Sequence, residues 1–150
     1  MFLKPFAAGD FDEYLTLSRE FYASDATDHP VPEVHFERTF QESAKGSPLS
    51  RAWLIRETPD GPSVGYMLAS LAWSTEFGGR VAWLEELYLR PENRGKGLGH
   101  KVFEAVLKEF REKDGVVGFR LEVTKGNPAV TLYERLGFTA VPYDEMWMAV

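Results

Sequence analysis

Residues 94–99 read Arg-Gly-Lys-Gly-Leu-Gly and have the chemistry of an anion site. The apolar residues that follow recur with helical spacing up to Phe110, so a helix begins within this turn. Backbone N–H groups in the first turn of a helix lack intrahelical acceptors, and the helix dipole favours negative charge there. Arg94 and Lys96 add two cations. The segment is therefore expected to bind a phosphate or pyrophosphate.

Two adjacent carboxylates, Glu85 and Glu86, interrupt the apolar and aromatic run at residues 81–89. The run predicts a strand, in which strict alternation puts residues 83, 85, 87 and 89 on one face and 84, 86 and 88 on the other. A carboxylate there should meet water, a cation or a cleft. As a general base it would deprotonate an alkylammonium, a step that costs about 4.6 kcal/mol at pH 7. The alternative is a carboxylate that only pairs with a nearby Arg or Lys.

Tyr133 is the third candidate, within the segment 127–138. The pattern predicts a helix with Asn127 as N-cap, Pro128 at its first position and Gly137 just after its end. Tyr133 lies on the apolar stripe of this helix and on pattern alone is a core aromatic. Its phenol could alternatively give a proton to a leaving group at neutral pH.

The elements that position these segments follow from periodicity and turn residues. Asp10 and Glu13 have capping-box spacing before a first helix that extends to Tyr22. Two short turns join three strands into an antiparallel meander, and a βαβ crossover places the next strand parallel to residues 81–89. The remaining helices are predicted at 33–44, from 98 and from 127, and the strands at 1–6, 52–55, 64–74, 81–89, 116–124, 138–141 and 146–150. The order is β-α-α-β-β-β-α-β-α-β-β, an α/β fold with a mixed, mostly antiparallel sheet of six or seven strands and four helices.

Composition excludes several classes of function. The 150 residues fit one domain, and the absence of cysteine excludes disulfides, thiolate metal sites and cysteine nucleophiles. A net charge of −6 argues against a nucleic-acid-binding protein. No apolar run reaches transmembrane length and no signal peptide is recognisable, so no membrane association and a cytoplasmic location are expected. His29 and His35 are not accompanied by the set of carboxylate or cysteine ligands that a metal site needs, so no metal is expected.

The glycine-rich segment matches neither the dinucleotide fingerprint nor the Walker A loop. Arg94-x-x-Gly97-x-Gly99 instead resembles the acyl-CoA pyrophosphate motif of the GNAT acetyltransferase superfamily. The string 84–88, Leu-Glu-Glu-Leu-Tyr, is similar to another motif of that family. Residues 127–138 resemble its second signature, with Val130 (or Thr131) and Leu132 replacing the alanine and first aromatic. Element order and chain length also resemble the family, which uses acetyl-CoA.

The resemblance implies a role for each motif. Glu85, rather than Glu86, becomes the preferred base, and Tyr133 the acid that protonates the CoA thiolate. The Leu87 N–H polarises the thioester carbonyl, and Asn127 reaches the pantetheine or a phosphate. The other residues expected to contact acetyl-CoA are Tyr88 and Leu89 in the strand and Arg94, Gly95, Lys96, Gly97, Leu98, Gly99 and His100 in the loop.

The sequence thus predicts a single N-acetyltransferase domain over residues 1–150 that acetylates a small primary amine directly, such as a polyamine, amino acid or amine antibiotic. A non-catalytic acyl-CoA-binding or regulatory domain is one alternative, and a protein N-terminal or lysine acetyltransferase is another. The family's frequent dimers imply a homodimer. Candidate residues on the acceptor side are Phe21, Tyr22, His29, His35, Trp73, Tyr143, Asp144 and Glu145.

Overall fold

One mixed sheet carries the described elements of the chain. The computed structural model describes residues 1–24, 27, 30–142, 144, 146 and 148. Among these residues the strands are β1 (Phe2–Pro5), β2 (Ser50–Arg56), β3 (Ser63–Ser74), β4 (Gly79–Leu89) and β5 (Gly118–Arg120). The helices are α1 (Phe11–Tyr22), α2 (Glu33–Ala44), α3 (Leu98–Glu109) and α4 (Val130–Arg135), with 3-10 turns at Ala8–Asp10 and Pro91–Asn93 and a π turn at Phe110–Asp114.

The strands lie in chain order, β1 to β5, across the sheet. Strands β1 to β4 are antiparallel, whereas β5 is parallel to β4, as the predicted crossover through α3 requires. Apolar residues of α3 cover one face of the sheet, with α4 residues packed beside them. Apolar and aromatic residues of α1 and α2 cover the other face. No helix in the described ranges has the length and apolar character needed to cross a bilayer.

Asp10 is the N-cap of α1 as predicted, but the predicted capping box with Glu13 does not form. A 3-10 turn precedes α1 and makes Asp10 its last residue, so the Asp10 carboxylate reaches back to accept the Ala7 N–H at 2.8 Å and also pairs with Lys4. The Glu13 carboxylate instead accepts the Ser63 N–H at 2.8 Å and a bond from Arg56 at 3.0 Å. Glu13 therefore ties α1 to β2 and β3, a tertiary role that local spacing did not reveal.

The predicted strands near the C-terminus differ most from the structure. Residues 138–141 form no strand and precede Pro142, which has no N–H for a ladder hydrogen bond. Strand β5 occupies three residues of the predicted 116–124. In the predicted strand 146–150, residues 147, 149 and 150 lie outside the described residues, and Met146 is 92% exposed. The described part of the sheet therefore has five strands rather than six or seven.

Candidate active site

Strands β4 and β5 pair over three positions and then separate. Their last paired residues are Trp83 and Arg120, although β4 continues to Leu89. A strand edge without a neighbour presents free backbone N–H and C=O groups. The separation therefore opens a gap beside residues 84–89, which include the strand positions expected to contact a thioester.

Gly99 marks the place where the three predicted motifs meet. A Cβ atom placed on Gly99 would lie 3.9 Å from Leu87 Cδ2, 3.8 Å from Leu89 Cδ1 and 3.5 Å from Leu132 Cδ2. The first turn of α3 thus contacts both β4 and α4, one residue from Tyr133. Position 99 therefore lies at the junction between them, where a side chain would contact all three leucines.

The glycine-rich turn leads directly into helix α3, as predicted. Gly95 and Gly97 have φ values of 73° and 75°, a left-handed conformation that favours glycine. Helix α3 begins at Leu98, and its first backbone bond runs from the Lys101 N–H to the Gly97 carbonyl at 3.2 Å. The N–H groups of residues 98–100 precede that bond and lack acceptors within the helix. The positive end of the helix dipole adds to their attraction for an anion.

The charged side chains of this turn have separate positions. Arg94 folds toward β4, where its Nε donates to the Leu89 carbonyl at 2.7 Å and its guanidinium lies 5.6 Å from the centre of the Tyr88 ring. Lys96 is exposed. His100 Nε2 lies 3.3 Å from Glu104 on the next turn of α3. Arg94 therefore joins the turn to the end of β4, while Lys96 leaves a cation at the surface.

Tyr133 lies in α4, with its ring packed between two aromatic neighbours. The ring centre is 5.5 Å from that of Phe103 and 6.2 Å from that of Phe138. Burial raises the pKa of Tyr133 above the usual 10.0, so the phenol keeps its proton at neutral pH. The residue thus has the core packing predicted from the pattern and also a proton to donate.

The limits of α4 agree with the sequence at one end only. At the C-terminal end, Gly137 donates to the Glu134 carbonyl and Phe138 to the Tyr133 carbonyl, each at 3.0 Å. These two bonds are those of a Schellman motif, with Gly137 at the predicted position. At the other end the N-cap is Ala129, not Asn127, because a turn precedes the helix. The Asn127 side-chain carbonyl accepts the Ala129 N–H within that turn at 2.9 Å.

A β-bulge in β4 changes the predicted alternation. Leu68 pairs with Glu86, but the next residue of β3, Ala69, pairs with Leu84, which leaves Glu85 as an extra residue. Leu84 and Leu87 consequently both pack on the α3 face. Glu86 faces the tyrosines of the α1 and α2 face. The prediction that residues 84, 86 and 88 share one face is therefore wrong, because a bulge shifts the phase of the strand.

The two carboxylates have different surroundings. Glu85 is exposed and accepts a hydrogen bond from Ser70 Oγ. Glu86 accepts one bond from Tyr22 Oη at 2.7 Å and another from Tyr66 Oη at 2.5 Å. Burial raises the pKa of Glu86 above 4.5, although the two phenol bonds act in the opposite direction. Sequence reasoning missed this connection because no local pattern relates residues 22, 66 and 86.

Those candidate acceptor residues that the structure describes do not form one group. Phe21 and Tyr22 pack against each other at the end of α1, close to Glu86. His35 lies exposed on α2, and Trp73 is 68% exposed near the end of β3, opposite Arg80. Asp144 is exposed and outside any helix or strand, whereas His29, Tyr143 and Glu145 lie outside the described residues.

Comparison with known proteins places this geometry in a family. The model of the acetyltransferase (GNAT) family matches residues 11–138. A thialysine N-epsilon-acetyltransferase from Bos taurus is 38% identical over 91 residues, which are 59% of this chain and 52% of that protein. The chain thus spans about half the length of this and two other curated thialysine N-epsilon-acetyltransferases that it matches.

Solved structures share the fold. A possible acetyltransferase from Clostridium difficile 630 has a TM-score of 0.81 and 18% identity, covering 99% of this chain and 97% of that chain. AAC(6')-Iy, in complex with the bisubstrate analog CoA-S-monomethyl-acetylneamine, has a TM-score of 0.78 and 14% identity, covering 99% and 97%. The family match spans most of the sequence and includes both β4 and the glycine-rich turn. The chain belongs to the GNAT family of acetyltransferases.

Proposed function

We propose that this protein transfers the acetyl group of acetyl-CoA directly to the primary amine of a small molecule. The observation that carries the proposal is the junction at Gly99, where the anion-binding turn, the free edge of β4 and the helix of Tyr133 meet. This arrangement supports a pyrophosphate at the turn, an extended thioester arm along the strand edge and Tyr133 as the acid. CoA in the complex of the fold neighbour AAC(6')-Iy supports the choice of donor.

Donor binding is assigned to the turn and to β4. The N–H groups around residues 95–100, together with Lys96, hold the pyrophosphate, and Asn127 approaches the pantetheine or a phosphate. Arg94 keeps the turn against the end of β4 through the Leu89 carbonyl. The backbone of residues 87–89 contacts the pantetheine arm, and the Leu87 N–H stabilises the negative charge that develops on the acyl oxygen.

Proton transfers are assigned to Glu85 and Tyr133. Glu85, directly or through a water, removes a proton from the ammonium group of the acceptor, which frees the nitrogen lone pair. That nitrogen attacks the acyl carbon, the bond between this carbon and sulfur breaks, and Tyr133 gives its proton to the departing thiolate. The nitrogen loses its second proton as it becomes an amide, and this proton, passed through water, restores the Tyr133 phenol. The exposure of Glu85 supports this assignment, since the two oxygens of Glu86 already accept phenol hydrogen bonds.

A small acceptor is favoured by two observations. The chain carries a net charge of −6, which attracts cationic amines. The relative from Bos taurus is named for thialysine, a small amine. Polyamines, amino acids and amine antibiotics are the acceptor classes that fit.

The test is thiol release from acetyl-CoA in the presence of a panel of amines. The panel contains a polyamine, thialysine, an amino acid, an aminoglycoside and a peptide with a free N-terminus and a lysine. We expect turnover with at least one small amine and weaker turnover with the peptide. Tight CoA binding without thiol release for any amine would indicate a binding module instead, and turnover with the peptide alone would indicate a protein acetyltransferase.

A further inference from the structure

We propose that Glu86 is a positioning residue, whose hydrogen bonds from Tyr22 and Tyr66 hold residues 86–89 of β4 in the bulged register and thereby place the Leu87 N–H and Glu85 for acetyl transfer. The catalytic part of this inference rests on the proposed function. The structural part concerns strand register and is independent of it.

The bridge joins three elements at one carboxylate. Tyr22, the last residue of α1, donates to Glu86 Oε1 at 2.7 Å, and Tyr66 of β3 donates to Glu86 Oε2 at 2.5 Å. Tyr66 is fully buried and packs edge-on against the Tyr14 ring, with ring centres 5.3 Å apart. Each carboxylate oxygen therefore has a donor held in place by the surrounding core.

The register of β4 has an evident competitor, which is a strand without the bulge. If residues 86–89 slipped by one position to restore alternation, Glu86 would turn toward the face that Leu84 occupies. That face is the apolar core under α3, with Val102, Phe103 and Val106. A carboxylate moved there would lose both phenol bonds and would be surrounded by apolar side chains, which is energetically unfavourable. The hydrogen bonds to Glu86 therefore make the slipped register less stable than the bulged one. Buried polar groups can specify a register in this way.

The slip would also disturb the residues assigned to chemistry. Moving residues 86–89 by one position reverses the faces of Leu87 and Leu89. It would also exchange which backbone groups of that segment point toward β3 and which toward the gap. The direction of the Leu87 N–H would then be reversed relative to the bulged strand. Glu85 would pair with a residue of β3 instead of being the extra residue of the bulge. The bridge is therefore expected to affect kcat without contact with either substrate.

The experiment compares two substitutions of Glu86. Glu86→Gln keeps the size of the side chain, and its amide can bond to both phenols, one as acceptor and one as donor. We expect its kcat to stay within about tenfold of the wild type, below the ~10²–10⁴-fold loss that removal of a general base causes. Glu86→Leu removes both bonds, and because a misplacement of about 1 Å can cost 10²-fold in rate, we expect kcat to fall by about 10²-fold or more.

A second set of variants tests the bridge from the tyrosine side. The double variant Tyr22→Phe/Tyr66→Phe leaves Glu86 without its donors and should lower kcat as Glu86→Leu does. Tyr14→Phe removes a phenol from the same aromatic cluster without breaking the bridge and serves as the matched control. Cross-strand NOEs between residues 68 and 86, which pair only in the bulged register, should be lost in Glu86→Leu and the double variant and kept in Glu86→Gln and Tyr14→Phe.

Two results would overturn the proposal. Suppose that Glu86→Gln lost as much activity as Glu86→Leu, although residues 68 and 86 stayed paired in Glu86→Gln. Glu86 would then be the base itself. If the double variant kept both this pairing and wild-type kcat, the bridge would not set the register. Should the wild type acetylate no amine, the proposed function would fail, and the NOEs would still decide whether the bridge holds β4.

Discussion

Glu85 and Glu86 are adjacent in the chain and lie on the same face of the sheet. Glu85 contacts Ser70 and Glu86 contacts Tyr66, two residues that share one face of β3 by alternation. An unbulged strand would turn one of the two carboxylates into the apolar core under α3. The bulge avoids that cost and keeps one carboxylate exposed beside one that is hydrogen-bonded within the α1 side of the fold.

The exposed carboxylate is the expected base, which Glu85→Gln tests. The amide cannot accept a proton from the ammonium group, so kcat should fall by about 10²-fold or more, with little change in the Kd for acetyl-CoA. Glu76→Gln, a change at another exposed glutamate, should leave both quantities unchanged. Steady-state kinetics and calorimetric titration provide the two measurements. Wild-type kcat in Glu85→Gln would show that another group, or the solvent, takes the proton.

Tyr133→Phe tests the acid. The ring packing against Phe103 and Phe138 is retained, whereas the proton for the thiolate is lost, so kcat should fall by about 10²-fold with unchanged unfolding temperature. Because burial raises the pKa of Tyr133, the protonated acid should persist through neutral pH, and the midpoint of any loss of wild-type activity from its ionisation should lie above the usual pKa of 10.0. A pH profile of kcat checks this. An unchanged kcat in Tyr133→Phe would make Tyr133 a core residue only.

Two glycines of the turn should respond differently to alanine. Gly97 has a φ of 75°, so Gly97→Ala should lower the free energy of unfolding by about 1–2 kcal/mol. Gly99 lies within α3, and a Cβ there meets its neighbours at 3.5 Å or more. Gly99→Ala should therefore keep or raise stability by up to about 1 kcal/mol, because alanine favours the helix. Its methyl group would nevertheless reduce acetyl-CoA affinity. Chemical denaturation measures the unfolding free energies of the two variants, and calorimetry measures their affinity for acetyl-CoA. Equal stability of the two variants would contradict the backbone strain assigned to Gly97→Ala.

Stability should depend on pH through Glu20. Hydrogen bonds from Arg90 and Tyr88 hold the pKa of Glu20 below 4.5. A carboxyl group with a lowered folded-state pKa stabilises the fold above its unfolded-state pKa, and this contribution is lost as the pH falls through the folded-state value. The difference in unfolding free energy between the wild type and Glu20→Gln should therefore be largest at neutral pH and shrink below pH 4.5.

Urea denaturation from neutral pH to about pH 3 measures that difference. Glu112→Gln is the control, because its carboxylate is exposed and lies 3.9 Å from Lys108. A difference that stayed constant over the whole range would show that the bonds from Arg90 leave Glu20 energetically unchanged.

Local patterns predicted the elements whose determinants are local. Helix α2 has its predicted limits, Gly137 ends α4, and β5 pairs in parallel with β4. Asp10 is the N-cap of α1 as predicted, but its capping box with Glu13 does not form, because a 3-10 turn precedes α1 and the Asp10 carboxylate accepts the Ala7 N–H. The bulge at Glu85 was missed because it depends on how β4 pairs with β3, which periodicity within one strand does not contain.

The candidate site shows the same difference between features with local determinants and features that depend on tertiary contacts. The glycine-rich turn and Tyr133 could be found from short segments whose chemistry is evident in the residues themselves. The bridge from Tyr22 and Tyr66 to Glu86 joins residues that are 64 and 20 positions apart, so only the folded chain reveals it. The interaction of Arg94 with the Leu89 carbonyl likewise required the structure.

Direct transfer from acetyl-CoA to an amine nitrogen is the central claim, and product analysis after turnover with labelled acetyl-CoA tests it most directly. The proposed function predicts one labelled acetamide on the acceptor for each thiol released, with no label on the protein. Thiol release without an acetylated amine, or label that accumulates on the protein before it reaches the acceptor, would contradict it.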